Sequence, residues 1–150
     1  MAETRFALPD VAATAALAGR IARLVAVGDV LALRGDLGAG KTTFARHVIA
    51  ALTGAEVEVP SPTFTLVQTY ETRVGLVWHF DLYRLERPDD AWELGIEEAF
   101  ASGISLIEWP ERLGALLPED RLDIRFAIAA GEARSATLLA QGAWRGRLDG

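Results

Sequence analysis

VLALRGDLGAGKTTF, residues 30–44, is the stretch on which the fold turns. It opens on a brief apolar run, Val30 to Leu33, with the length and composition of a strand buried on both faces. It passes into Gly35-Asp36-Leu37-Gly38-Ala39-Gly40-Lys41-Thr42, which matches G-x-x-x-x-G-K-[ST]. A helical stretch follows to about Leu52 and stops at Thr53-Gly54. Strand, loop and helix in that order are the context a phosphate-binding loop requires. Its glycines let successive N–H groups turn inward, and the following helix N-terminus adds partial positive charge. Lys41 supplies a compact mobile cation, and the Thr42 hydroxyl suits a magnesium ion. Lys41 is also the only lysine in the chain, the other fourteen basic residues being arginine. The competing reading, a glycine-rich turn capping an ordinary helix, leaves this context unexplained.

Upstream, Arg5 to Leu8 reads as an opening strand, and Asp10 as the N-cap of a helix running to about Ala26. Downstream, Pro60-Ser61-Pro62 breaks the chain. Thr63 to Glu71 and Leu76 to Leu82 then read as two strands joined by a turn at Arg73–Gly75, a hairpin where a strand–helix repeat would place a helix. Asp89 to Phe100 reads as an acidic helix, either a docking face or ordinary solvated surface. Ile104 to Ile107 is a buried strand ending at Glu108-Trp109-Pro110. Arg121 to Ala129 and Arg134 to Ala140 form a terminal hairpin, and residues 141–150 a flexible tail. The expectation is α/β: a P-loop NTPase-like single domain over residues 1–150, with a mixed parallel/antiparallel sheet flanked by helices.

Composition narrows the function. With 150 residues, 51% of them hydrophobic, the chain can bury a core. There is no cysteine, hence no disulfide framework and no thiolate nucleophile, and His47 and His79 are too few for a histidine cluster. No secretory signal is evident, and the apolar stretch Val11–Ala18 is far short of a bilayer span, so a cytoplasmic chain off the membrane is expected. The net charge of −6 argues against gripping nucleic acid alone. The absence of asparagine removes the N-K-x-D guanine-reading motif, and no D-x-x-G follows the loop, which points to ATP.

A phosphate loop needs an acidic partner at a neighbouring strand end to complete a magnesium site. Asp81, after Leu76–Phe80, and Glu108, after Ile104–Ile107, both fit. Spacing does not choose between them, although the buried-strand pattern favours Glu108 and leaves Asp81 to orient water. Thr63 lies about where a switch threonine senses the γ-phosphate, but is equally a proline-stiffened strand entry. Arg84 either neutralises phosphate charge or pairs locally. Trp109 either packs on the base or closes the site, or else simply packs in the core. His79, alternating with Trp78 and Phe80, reads as a structural histidine, as does His47.

GDLGAGKTTF (35–44), SPTFTLV (61–67), HFDLYRL (79–85), ELGIEE (93–98) and EWPERL (108–113) together resemble the TsaE (YjeE) family, the bacterial ATPase of tRNA threonylcarbamoyladenosine synthesis. The resemblance runs in order from about Leu8 to Leu139. It implies a cytoplasmic Mg-ATPase, weak alone, that works with TsaB and TsaD and meets tRNA only through that assembly. Its own reaction would be ATP hydrolysis that resets the assembly, not the carbamoyl transfer. By matching motifs the nucleotide falls to Leu37, Gly38, Ala39, Gly40, Lys41, Thr42 and Thr43, with Trp109 close by, and the metal to Thr42 and Glu108. Lys41, Asp81, Glu108 and Thr63 form the hydrolytic and switch machinery. Val11 is implied near the base, and Arg134 becomes a nucleotide contact. Two other readings suit a P-loop of this size: a small-molecule kinase, and a nucleotide-gated binding module with negligible hydrolysis.

Overall fold

The structure, a computed structural model, describes residues 2–54, 66–131 and 133–148. Strand β1 (Ala2–Leu8) leads to Asp10, whose carboxylate accepts the Ala13 amide at 2.9 Å and caps α1 (Val11–Ala22). Strand β2 (Val30–Arg34) enters the glycine loop, and α2 (Lys41–Thr53) leaves it, ending at Gly54 in the left-handed conformation. Then come β3 (Val67–Glu71), β4 (Leu76–Asp81), a 3₁₀ segment (Pro88–Leu94) and α3 (Ile96–Ser102). Strand β5 (Ile104–Glu108), a second 3₁₀ segment (Pro110–Leu116), β6 (Leu122–Ile128), β7 (Arg134–Ala140) and α4 (Trp144–Arg147) complete the order.

All seven strands form one sheet, ordered β1-β7-β6-β2-β5-β4-β3. The central β6, β2, β5 and β4 are parallel, and the outer pairings are antiparallel. Period-two alternation divides the core between the two faces. Leu31, Leu33, Val77, Ile104 and Leu106 pack with α1, α2 and Trp144 on one face. Val30, Phe80 and Ile107 pack with Ala91, Ile96 and Leu113 on the other. Four parallel strands thus deliver their C-terminal ends, β2 with its loop among them, to one edge of the sheet, where α/β proteins place their sites. Among the described residues no helix is long and apolar enough to cross a membrane.

Two segments differ from the sequence reading. The single acidic helix expected over Asp89–Phe100 is split at Gly95, which stands at φ 84°. A Cβ there would come within 2.9 Å of the Trp78 ring, so the close approach of that indole, together with the positive φ, selects glycine and ends the helix. The expected flexible tail instead forms α4 from residue 144, because Trp144 is a core residue at 1% exposure.

A buried carboxylate ties the terminal hairpin to the base of the phosphate loop. Asp123 on β6 accepts Arg34 Nε at 3.0 Å, Arg121 Nε at 3.0 and 3.1 Å, and Gln141 Nε2 at 2.7 Å. Truncating it strands two half-buried guanidinium groups without their counter-charge. Asp123→Ala is expected to cost about 3 kcal/mol of stability, read as a lower urea midpoint at unchanged slope. A midpoint within error of wild type would show the network to be decorative.

Candidate active site at the phosphate loop

The loop's shape follows from three glycines at positive φ: Gly35 at 138°, Gly38 at 80° and Gly40 at 112°, the last capping α2. At Gly35 an added Cβ would stand 2.5 Å from the Phe126 carbonyl oxygen, so β6 pressing on the loop excludes any side chain. Lys41 opens α2 and is buried. Its Nζ donates to the Gly35 carbonyl, approaches the Asp36 carbonyl at 3.5 Å, and lies 3.6 Å from the Trp109 ring centroid. Burial pushes the Lys41 ammonium below its ordinary pKa of 10.5, opposed by Glu108, Glu111, Asp81 and Asp36. The lysine is a desolvated cation held by carbonyls and an aromatic face, facing the cleft.

Trp109 reaches that position through an unusual backbone. It stands at φ 60°, ψ 50°, a left-handed conformation that costs a non-glycine residue about 1 kcal/mol. The turn folds its ring back over Lys41 and against Tyr83, whose ring centroid is 4.9 Å away.

Parallel pairing of β4 with β5 sets Asp81 opposite Glu108. Both carboxylates are buried, at 6% and 2% exposure, at the strand ends facing α2. Glu108 is held at both oxygens: Thr42 Oγ1 donates to Oε1 at 2.6 Å, and His79 Nε2 lies 2.7 Å from Oε2. Asp81 Oδ1 accepts the Tyr83 amide at 3.1 Å. These groups line a cleft of about 230 Å³ formed by Leu37, Gly38, Gly40, Lys41, Thr42, Thr43, Asp81, Tyr83, Glu108 and Trp109. A hydroxyl and two neighbouring carboxylates form a hard-oxygen set of the kind magnesium takes, and a cation would offset the repulsion between the carboxylates.

A second cleft, about 270 Å³, lies across Gly38, Gly40 and Thr43 from the first and is lined also by Leu8, Asp10, Val11, Thr14 and Arg134. Arg134 Nε donates to the Gly38 carbonyl at 3.1 Å, so the terminal hairpin steadies the loop directly. The guanidinium also donates to the Gly131 and Ala133 carbonyls.

The structure therefore brings together Lys41, Thr42, Asp81, Glu108 and Trp109 in one cleft, and Val11 and Arg134 in its neighbour. Ala39 is buried beneath the loop. Arg84 is exposed on the turn after β4. Ser61, Pro62 and Thr63 lie outside the described residues. Two contributors were not singled out from sequence. Tyr83 walls the cleft, and His79, read as structural, touches Glu108. The signal for His79 was its place two residues before Asp81, hence on the same face of β4.

Residues 8–136 match the family model described as threonylcarbamoyl adenosine biosynthesis protein TsaE. The chain belongs to the TsaE family. Among named relatives, the Rickettsia felis tRNA threonylcarbamoyladenosine biosynthesis protein TsaE is 38% identical over 84% of this chain and 74% of its own length. The Bacillus subtilis protein of the same name is 41% identical over 86% of this chain and 80% of its own. The crystal structure of Bacillus subtilis YdiB superposes with a TM-score of 0.84 at 32% identity, covering 99% of this chain and 93% of that one. Family membership, read from the TsaE-like motifs, and the mixed α/β sheet, read from the order of elements along the chain, both stand.

Proposed function

We propose that this chain is a cytoplasmic Mg-dependent ATPase that acts in threonylcarbamoyladenosine biosynthesis on tRNA, its hydrolysis coupled to a TsaB–TsaD assembly. The observation carrying this reading is the convergence of Thr42, Glu108 and Asp81, two strand ends and one helix start, beside Lys41 in one cleft. The names of the relatives supply the pathway. The net charge of −6 accords with a subunit that reaches tRNA through its partners.

In this reading the loop amides and Lys41 hold the β- and γ-phosphates of ATP, and Val11 and Arg134 flank the base side of the nucleotide. Magnesium, when bound, neutralises phosphate charge, and Thr42 and Glu108 would hold it. Asp81 orients a water for attack on the γ-phosphorus. One P–O bond forms as the bond to the β-phosphate oxygen breaks, giving ADP and inorganic phosphate, with the water's proton passing through Asp81 to solvent. Thr63 belongs to the γ-phosphate sensor by its place in the sequence after the loop and by the family resemblance.

The test is phosphate release from Mg-ATP by the chain alone and with TsaB and TsaD. A rate that rises at least tenfold with the partners is the expected result. An unchanged rate would sink partner coupling. Label moving from γ-phosphate to a metabolite would turn the reading to a kinase, and ATP-dependent association without phosphate release to a binding-only switch.

A further inference from the structure

His79 is fully buried on β4, one period-two step before Asp81 and on the same face of the sheet. In the β4–β5 register it stands opposite Leu106, one such step before Glu108. The Glu108 side chain leans back along its strand toward the imidazole, which lies 2.7 Å from Oε2. The other oxygen receives the Thr42 hydroxyl. A carboxylate at 2% exposure needs donors at both oxygens, since an unmet one forfeits its hydration without replacement. Thr42 and His79 are those donors among the hydrogen bonds of the described residues.

The two donors are not equivalent. If Thr42 and Glu108 hold a metal, both side chains would be drawn toward it, and the hydrogen bond between them would no longer be what anchors the carboxylate. His79 alone then continues to hold the carboxylate at Oε2. It carries no solvent-facing surface and sits on the same β4 that carries Asp81. Its other ring nitrogen supports the assignment: Nδ1 is buried and has no hydrogen-bond partner among the described residues. A proton on Nδ1 would be a stranded donor, whereas a bare lone pair there costs less. The favoured tautomer therefore carries its proton on Nε2, aimed at Glu108.

We infer that His79 is a positioning residue for the metal site: by donating from Nε2 to Glu108 Oε2, it fixes the carboxylate so that Oε1 faces Thr42 and the cleft. The inference deepens the metal reading above and rests on it. Without His79 the orphaned Oε2 seeks another donor, the carboxylate rotates, and the oxygen meant for the metal is misaimed while the phosphate loop itself is untouched. Losing such a partner of a metal ligand typically costs 10- to 100-fold in metal affinity.

The test separates metal coupling from nucleotide binding and needs no turnover. ADP affinity is measured by titration calorimetry with magnesium and with EDTA, and the ratio of the two defines the coupling. His79→Leu should lower that ratio at least tenfold while leaving the EDTA affinity within about twofold. His79→Gln, which retains an N–H donor, should recover most of the loss. A folded His79→Leu protein with wild-type coupling overturns the inference, as does an equal loss with and without magnesium.

Glu108→Gln is the reference arm. If it lowers the coupling and His79→Leu does not, the histidine assignment alone fails. If Glu108→Gln has wild-type coupling, or wild-type protein binds no ADP, the metal or nucleotide reading fails first. Should His79→Leu not fold, the tautomer decides. In a ¹⁵N-labelled His47→Gln background His79 is the only imidazole. Its long-range ¹H–¹⁵N spectrum should show a proton on Nε2, and a proton on Nδ1 with a bare Nε2 overturns the inference.

Discussion

Replacing Lys41 with alanine is expected to reduce partner-stimulated phosphate release by at least 100-fold, to background, while leaving the unliganded fold as stable as wild type or more so. The functional loss follows from position: the ammonium is the one cation built into the loop's own helix start, and arginine's planar fork is a poor substitute there. The stability forecast follows from burial. Folding lowers the Lys41 pKa below 10.5, so the charged form is disfavoured relative to the unfolded chain. That penalty is present throughout neutral pH. It fades only as pH rises through the lowered value toward 10.5, where the unfolded chain also loses its proton. Contacts with the Gly35 carbonyl and the Trp109 ring offset part of it. Alanine removes both the cost and the function. Melting curves and phosphate release on one preparation check the pair of claims. Turnover retained in a folded Lys41→Ala protein would remove this cleft as the site of hydrolysis.

Glu108→Gln should keep nucleotide affinity without magnesium within a few-fold, yet lose about 100-fold in magnesium-dependent hydrolysis. The neutral amide keeps a carbonyl for either Thr42 or His79, but not a charged oxygen for each. The side chain volume is unchanged, so β5 should still pack, and the loss reads out charge rather than shape. Asp81 stands opposite on β4 and is the alternative metal ligand. The magnesium dependence of the variant's residual rate decides between them. A normal dependence moves the metal to Asp81 and leaves Glu108 as a tether for Thr42.

The strand–loop–helix around Lys41 was legible because its signals are local: an apolar strand, glycines at fixed offsets and a helical run in unbroken order. The terminal hairpin was legible for the same reason, from alternation around a turn. What escaped was set across the sheet. Sequence offered Asp81 and Glu108 as rivals, whereas parallel register makes them neighbours. His79 looked like a core residue because its partner lies 29 positions away, and only the β4–β5 register joins them. Gly95 did not announce a helix break, since the indole excluding a side chain comes from another strand. Trp144 was hidden in a polar, glycine-rich stretch, and its burial depends on the core that the sheet shares with α1 and α2. Val11 and Arg134 were reached through the family resemblance, and the fold explains their meeting: β1 and β7 pair, so the start of α1 and the terminal hairpin share one end of the sheet.

That pairing also fixes how the molecule would respond to tension. Ala2 is registered with Ala140, so residues near the two extremities of the chain sit side by side on an outer strand pair. Pulled apart there, β1 would peel from β7 one rung at a time, as a zipper opens, rather than shear with every rung loaded together. The outermost strand would yield first and at low force. β2, which carries the phosphate loop, is separated from β1 by β7 and β6 and would bear the load only after β1 had detached from its neighbour.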